Sequence, residues 1–433
     1  MNSKPVLFEQ ALIKAIKFIK SHPEELGSEV LLVRNLHGRI HIALENSPDE
    51  NTRAIHDGLA RKFTESLQKY APNQVFLYRD ELFAPDAIFN SPDKHRFEDS
   101  DIYVVDRQVT NLDWLRKPLT ESTKIPRATL FGIKGGVGRS TALAVWAWHL
   151  ATKCDKKVLI LDLDLESPGI SGMLLPNEYL PKYGIVDWFV ESALDQGDIV
   201  LGDMIGESPL GKEGRGWIKV VPSAGSEEKD YLAKLSRIYL DLNFNGQNQT
   251  FANRVSSLIE QLEQQEQPDI VLLDSRAGLH DIAAIAITRL NAMSFLFAIN
   301  TPQTWQAYRF LFSHWQRWGR SNLLKFRGDL KIVAGMIPEV GIADYLERCR
   351  QSAYNLFIET LYEEDDGTLP NDTFNFSIDS FDAPHYPLKV LWNRAFTEFD
   401  PIEKPEVFDS NLVQATYGSF VEEATQLVFG EKL

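Results

Sequence analysis

The sequence predicts an α/β protein in which a mostly parallel, doubly wound sheet follows a small α+β domain. From Ala128 onward, apolar segments suited to buried strands alternate with segments suited to helices, which is typical of a parallel sheet covered on both faces. Before that point, a hairpin pattern and two helical patterns form a separate group. With 433 residues, of which 44% are hydrophobic and 24% charged, the chain is long enough for two or three globular domains.

Residues 1–115 form the predicted N-terminal domain, with an interaction or sensor role. Helical periodicity spans 7–20 and 51–70, a hairpin is predicted from 30–34 and 39–44, and two more strands from 74–78 and 101–105. The histidines and acids of this domain match no metal-ligand spacing, so we expect them to be structural. Residues 116–127 are polar with two prolines and are predicted to be a linker to the domain at 128–433.

A glycine-rich loop follows the first strand of the second domain. The apolar run Thr129–Phe131 is followed by four glycines and then by a helical pattern from Ser140. Glycines allow several backbone N–H groups to point inward, and the following helix adds its positive end, so the segment suits a triphosphate. The predicted phosphate-binding residues are Gly135, Gly136, Val137, Gly138, Arg139, Ser140 and Thr141. The alternative is an ordinary glycine-rich turn between a strand and a helix.

Carboxylates end two further apolar segments. Asp162 and Asp164 follow 157–161, and Asp274 follows 270–273, which is a Walker B pattern. Oxygen ligands of this kind suit Mg²⁺, so Ser140, Asp162 and Asp274 are the predicted metal residues. The alternative for Asp164 is that it caps the turn before Ser167.

The glycine loop resembles a known motif. Lys134-Gly-Gly-Val-Gly-Arg-Ser140 is similar to the deviant Walker A motif of the ParA/MinD-type ATPases, a family of P-loop NTPases. The resemblance implies ATP and Mg²⁺ as cofactors and a nucleotide-sandwich homodimer, in which Lys134 contacts the phosphates of the partner subunit. It also implies that Asp164 positions or deprotonates the attacking water and that Asp162 supports the magnesium shell.

A second segment, Asp274-Ser-Arg-Ala-Gly278, resembles the family's switch II, whose glycine amide senses the γ-phosphate. Gly278 takes that place here. Arg276 stands where proline is usual; it is either an arginine finger or part of a surface salt bridge. Met336 and Pro338 end a strand at the place where relatives contact adenine, although the usual asparagine is missing.

One residue of the loop departs from the family pattern. Arg139 replaces the lysine that contacts the β- and γ-phosphates. Arginine keeps the charge but is planar and bulkier, so the change is not conservative in a tight phosphate site. We therefore expect ATP binding, with Lys134, Asp164 and Arg139 as catalytic residues and slow hydrolysis.

Charge and composition limit the partners. The net charge of −16 weighs against nonspecific binding to DNA or anionic membranes, on which many ParA-type and MinD-type relatives act. The helix predicted over 412–429 is acidic and is expected to pack on the domain. Without a signal-peptide pattern or an apolar run of membrane-spanning length, the protein is expected to be cytoplasmic. Cys154 and Cys349 suggest neither a disulfide nor a zinc site.

The leading hypothesis is an ATP-hydrolysing dimerisation switch that regulates or positions a protein partner. The alternative is an ATP-stabilised binding scaffold with little hydrolysis, acting through its N-terminal domain. A third possibility, an autophosphorylating tyrosine kinase on a related P-loop, is weaker because the sequence has no terminal tyrosine cluster. The segment 381–390 is expected to return as a lid toward the nucleotide.

Overall fold

The computed structural model describes residues 4–27, 30–97, 102–211, 215–244, 247–318, 325–363, 373–408 and 410–430. The chain divides into two compact units. The first unit comprises Met1–Arg116 and His314–Leu323, and the second comprises Lys117–Ser313 and Leu324–Leu433.

The first unit is built on a five-stranded mixed sheet with the strand order β3-β2-β1-β5-β4. Strands β1 and β2 form the antiparallel hairpin that the sequence predicts, while β5 pairs with β1 in parallel. The short strand β4 was not predicted from the sequence, and its side chains are mostly exposed. The strands are β1 (Leu31–Arg34), β2 (Ile40–Leu44), β3 (Phe76–Tyr78), β4 (Lys94–Arg96) and β5 (Tyr103–Asp106).

Two long helices of the first unit confirm the predicted periodicity. They bury regularly spaced apolar side chains, and Phe18 of the first packs edge-to-face on Phe63 of the second at 5.1 Å between ring centroids. Asp49 caps the second helix by accepting from Thr52 N–H at 2.8 Å. The helices are α1 (Phe8–Lys20), α2 (Pro23–Leu26), α3 (Glu50–Leu67) and α4 (Asp86–Phe89).

Two histidines of the first unit, His41 and His56, have structural partners. His56 bonds Tyr78 Oη at 2.9 Å, and His41 bonds the Gln74 carbonyl oxygen at 2.9 Å. In the described part of the chain, no group of three or more His, Cys, Asp or Glu side chains is arranged to hold a metal ion. These contacts agree with the structural role expected for the two histidines.

The second unit confirms the predicted α/β fold. Its eight-stranded sheet has the order β15-β14-β13-β6-β12-β7-β9-β8, and all neighbouring pairs are parallel except β8 with β9. A separate hairpin pairs β10 with β11. The strands are β6 (Arg127–Gly132), β7 (Lys157–Leu163), β8 (Gly206–Glu207), β9 (Trp217–Val221), β10 (Leu242–Phe244), β11 (Gln247–Gln249), β12 (Ile270–Ser275), β13 (Met293–Ala298), β14 (Leu330–Ile337) and β15 (Leu388–Leu391).

Helices cover this sheet, and two apolar clusters form the core. Alternate residues of the central strands enter different clusters: Ile160 lies in one, while Leu159 and Leu161 lie in the other. The helices are α5 (Arg139–Lys153), α6 (Ile170–Leu174), α7 (Ile185–Ser192), α8 (Gly197–Leu201), α9 (Tyr231–Ile238), α10 (Phe251–Glu266), α11 (Asp281–Thr288), α12 (Pro302–Trp318), α13 (Ile342–Thr360) and α14 (Ser410–Phe429). The last turn of α12 belongs to the first unit.

The C-terminal helix α14 packs on the second unit, as expected. Phe420 is fully buried against Trp146 and Phe295, and Trp146 Nε1 donates to Thr425 Oγ1 at 3.0 Å. None of the helices within the described residues is long and apolar enough to cross a membrane.

One expectation is corrected by the sheet. The segment 381–390, predicted to return as a lid, ends within Leu388–Leu391, which is the edge strand β15 paired with β14. Leu388 and Val390 point into the core. Their alternation with exposed Lys389 is the period of a strand with one buried face. The acidic segment 363–367, whose sequence predicts a solvated excursion, lies outside the described residues except for Glu363.

Candidate nucleotide-binding site

The glycine loop connects the end of β6 to the start of α5. Gly136 has a φ of 73° and Gly138 a φ of 82°, a left-handed conformation that glycine adopts readily and most residues do not. A Cβ atom placed on Gly135 or Gly136 would meet no heavy atom within 4 Å, so the outer side of the loop is open. The loop is therefore exposed at Gly135 and Gly136, and we call it the glycine cradle.

The inner side of the loop is closely packed. Val137 is buried, and a Cβ atom placed on Gly335 of β14 would lie only 2.6 Å from the Val137 carbonyl oxygen. Gly278 N–H donates to the Gly132 carbonyl oxygen at 3.0 Å, which ties the loop after β12 to the end of β6. The neighbouring strands thus fix the loop position.

The helix α5 begins directly below the loop. The backbone bond from Ala142 N–H to the Gly138 carbonyl oxygen, at 3.0 Å, closes its first turn. The amides of Arg139, Ser140 and Thr141 precede that bond, and a helix provides no acceptor for such groups. Together with the helix dipole, they favour an anion at this position.

Two carboxylates converge on the start of this helix. Asp274 is 1% exposed; its Oδ2 accepts from Ser140 Oγ at 2.9 Å and its Oδ1 accepts from Arg139 Nε at 2.9 Å. Arg139 Nη2 donates to Asp164 Oδ2 at 3.2 Å. The structure therefore brings four predicted site residues together, and the guanidinium of one of them is paired with two carboxylates. The four are Arg139, Ser140, Asp164 and Asp274.

Asp162 lies behind this cluster and is fully buried. Its Oδ2 accepts from the Ser171 amide at 3.2 Å and from Ser171 Oγ at 2.6 Å, while its Oδ1 has no partner among the described residues. Asp164 Oδ1 is likewise buried without a partner. Burial, with the nearby Asp274 carboxylate, raises the pKa of Asp162 to about 7.

Burial also raises the pKa of Asp274, and the charge of Arg139 acts in the opposite direction. Two close carboxylates in a dry site cannot both ionise without cost, so they share this perturbation. A cation that enters the site would favour their ionised forms.

The donor set fits Mg²⁺ that is held jointly with phosphates. Ser140 Oγ and Asp274 are oxygen donors beside the cradle, and the unpartnered oxygens of Asp162 and Asp164 remain available behind them. Among the residues that the structure describes, these carboxylates do not form a group of three that could hold a metal ion by itself. This agrees with the usual behaviour of Mg²⁺, which binds one or two carboxylates and otherwise keeps water and substrate phosphates.

The remaining predicted residues occupy the surroundings of the cradle. Lys134 is exposed and has no hydrogen bond or ion pair within the part of the chain that the structure describes. Gly278 has a φ of 89°. Met336, with a φ of 54°, would have its Sδ 3.6 Å from a Cβ atom on Gly138, whereas Pro338 is exposed beyond the end of β14. Their nucleotide contacts stay predictions.

Arg276 is paired within the chain. Its Nη1 lies 2.9 Å from Glu166 Oε1, and Tyr239 Oη donates to the same carboxylate oxygen. The surface salt bridge is thus the alternative that the geometry supports for this arginine. Sequence reasoning had no signal for Tyr239, because the contact joins segments far apart in the chain.

Sequence reasoning also missed the supports of Asp162. Ser171 stands nine residues later, near the start of α6, and Ser223 Oγ donates to the Asp162 carbonyl oxygen at 2.7 Å. Serine is common in turns and at helix starts, so neither position stands out in the sequence.

No protein-family model matches the sequence, and no curated protein matches it. Solved structures similar to the chain include pNOB8 ParA, at 18% identity and a TM-score of 0.43, with 71% of this chain and 99% of that chain covered. The MinD cell division protein of Aquifex aeolicus has 16% identity and a TM-score of 0.43, with coverage of 71% and 98%. An ATP complex of a Cyanothece McdA variant has 13% identity and a TM-score of 0.42, with coverage of 72% and 99%. ParA and MinD, the proteins that the motifs resemble, are thus among the similar solved structures.

Proposed function

We propose that the second unit binds Mg-ATP and acts as an ATP-driven dimerisation switch. The observation that carries the proposal is the convergence of Ser140, Asp164 and Asp274 at the start of α5, directly beside an open glycine cradle. Phosphate sites in parallel α/β sheets lie at the carboxyl ends of strands, and β6, β7 and β12 all end here.

Different residues of the site have different roles in the proposed function. The loop amides and the positive end of α5 bind the phosphates. Gly278 N–H, which donates to the Gly132 carbonyl oxygen at 3.0 Å in this structure, would exchange that acceptor for the terminal phosphate. Bound Mg²⁺ would neutralise charge on the β- and γ-phosphates. Asp164 orients the attacking water, and its unpartnered Oδ1 can accept the proton.

Lys134 supports the dimer part of the proposal. It projects from the loop into solvent, without an ion pair in the described residues. A second copy that approaches the same face would bring its phosphates within reach of this lysine, so that dimer formation depends on the nucleotide. Hydrolysis would then remove the terminal phosphate that holds the two copies together and release the dimer. A protein partner, regulated or positioned by the switch, would respond to the difference between dimer and monomer.

The second candidate function is a nucleotide-stabilised scaffold with little hydrolysis. The ion pairs of Arg139 with Asp164 and Asp274 favour it, because they engage the residues proposed for chemistry. In both cases the net charge of −16 opposes nonspecific binding to DNA or anionic lipid, so we propose a protein partner in the cytoplasm.

The test combines ATP turnover with molecular mass from light scattering, in ATP and in ADP. Wild type should hydrolyse ATP and dimerise in ATP alone. Asp164→Ala should stop turnover and keep the dimer, whereas Lys134→Ala should abolish both. Lys389→Ala, an exposed lysine on the edge strand β15, is the matched control and should behave as wild type.

Two results would decide against the switch. Tight ATP binding without turnover or a change in mass would favour the scaffold and direct attention to the first unit. A chain that binds no ATP would refute both candidate functions.

A further inference from the structure

Arg139 lies between the two carboxylates that the proposed function assigns to metal and water. Its Nε is 2.9 Å from Asp274 Oδ1 and its Nη2 is 3.2 Å from Asp164 Oδ2. The three side chains are 10%, 1% and 12% exposed, in the order Arg139, Asp274 and Asp164. We call this arrangement the Arg139 bridge.

The guanidinium of the Arg139 bridge and a divalent cation compete for the same carboxylate oxygens. Mg²⁺ binds carboxylate oxygens at 2.0–2.1 Å, so a metal on Asp274 Oδ1 or Asp164 Oδ2 would lie within a few ångströms of the guanidinium. Repulsion between such charges is strong where water is excluded. Arg139 therefore cannot keep both ion pairs while these oxygens coordinate a metal.

Arginine suits a bridge in a way that lysine does not. The guanidinium presents five N–H donors in a rigid plane, so that separate nitrogens reach separate carboxylates. The ammonium of a lysine is a single point charge on a flexible chain. Replacing the family's lysine with arginine thus adds a contact between the strand ends of β7 and β12.

We propose that Arg139 is an internal cation that keeps divalent metal off Asp164 and Asp274 until a phosphate draws the guanidinium away. The displacement of Arg139 by a phosphate rests on the proposed function, whereas the exclusion of metal by Arg139 does not. Arg139 is the first residue of α5, so an anion bound by the amides at the start of this helix would offer its guanidinium a competing acceptor. Metal then binds tightly only together with nucleotide, and each ligand raises the affinity for the other by the same factor.

The test measures binding of Mn²⁺ alone to the nucleotide-free full chain, from the electron paramagnetic resonance signal of free Mn²⁺. Arg139→Gln removes the charge and the bridge, and it should bind Mn²⁺ about tenfold more tightly than wild type, within the usual range of coupled binding. Arg139→Lys keeps the charge but not the bridge and should also bind more tightly than wild type. Arg309→Gln removes an arginine paired with Glu359 on the surface and should match wild type.

Three results would overturn the inference. Wild type and Arg139→Gln could bind Mn²⁺ equally, or neither could bind it. Arg139→Lys could match wild type, which would show that charge alone excludes the metal. Thermal unfolding confirms that each variant is folded, and Arg139→Ala replaces Arg139→Gln if that variant is not.

Binding of a fluorescent ATP analogue is measured on the same samples. Loss of nucleotide binding by wild type would refute the proposed function and leave the Mn²⁺ result standing. Normal nucleotide binding with an unchanged Mn²⁺ affinity in the Arg139 variants would refute only the inference.

Discussion

The buried carboxyl of Asp162 should make the stability of the protein depend on pH in an unusual direction. Its pKa is raised from 3.8 to about 7, mainly by burial and next by Asp274. Between these two values the folded state holds a proton that the unfolded state has released. Stability contributed by this group therefore falls as the pH rises from about 4 to about 7, opposite to the behaviour of an aspartate in a salt bridge.

The magnitude follows from the pKa. One pKa unit corresponds to about 1.4 kcal/mol, so the free energy of unfolding should fall by about 3 kcal/mol between pH 5 and pH 8 through this carboxyl alone. Asp162→Asn removes the titration and keeps an oxygen to accept from Ser171. The difference in unfolding free energy between wild type and variant reports the titration of Asp162 together with its effect on Asp274, because the histidines titrate in both proteins.

The assay is urea unfolding at pH 5, 6, 7 and 8 in a chelator, with wild type, Asp162→Asn and Asp187→Asn. Asp187 is a buried aspartate bonded to Lys234 and serves as the matched control. As the pH rises, the free energy of unfolding of Asp162→Asn should increase relative to that of wild type. A difference that stays constant over this range would refute the burial argument for Asp162.

Three other substitutions test separate contacts. In Gly335→Ala the new Cβ atom would lie 2.6 Å from the Val137 carbonyl oxygen of the loop, so ATP binding should weaken about tenfold or more in a fluorescence titration. The control is Gly328→Ala, whose Cβ atom would meet no heavy atom within 4 Å and which should bind ATP normally. Burial lowers the pKa of Lys331 from 10.5 to about 8. As the pH rises from 8 to 10.5, wild type should therefore gain up to about 3 kcal/mol of stability relative to Lys331→Met, measured by urea unfolding. A difference in unfolding free energy that does not change with pH would contradict this. Arg276→Gln should change stability by less than about 1 kcal/mol and turnover by less than about fivefold, because the guanidinium is paired with Glu166 at a partly exposed position. A loss of turnover of about a hundredfold or more would instead identify an arginine finger.

The sequence predicted those parts of the fold whose cause is local. The strand, loop and helix around Gly136 follow from periodicity and glycine chemistry within a short segment, and the structure has each of them. The edge strand Leu388–Leu391 was missed because four residues with two buried side chains give little periodic signal, and its partner strand is distant in sequence. Contacts between distant segments decide such elements.

The same distinction applies to the candidate site. The motifs predicted that Ser140, Asp164 and Asp274 meet, because parallel strands end at one edge of the sheet. The motifs could not predict that Arg139 turns toward the carboxylates, since a guanidinium in a P-loop can reach either phosphate or carboxylate. Its direction depends on the depth of Asp274 below the surface and on the side-chain positions around it.

The two segments that carry the carboxylates are joined twice. Arg139 joins Asp164 to Asp274 from within, and Arg276 joins the segment after β12 to Glu166 in the segment after β7 from the solvent side. Tyr239, next to the end of α9, donates to the same glutamate and extends this connection to the chain beyond the site. A phosphate that draws Arg139 away removes the inner connection and leaves the outer one. In the proposed switch both carboxylates are then free to bind a metal, while the ion pair of Arg276 with Glu166 still joins the two segments.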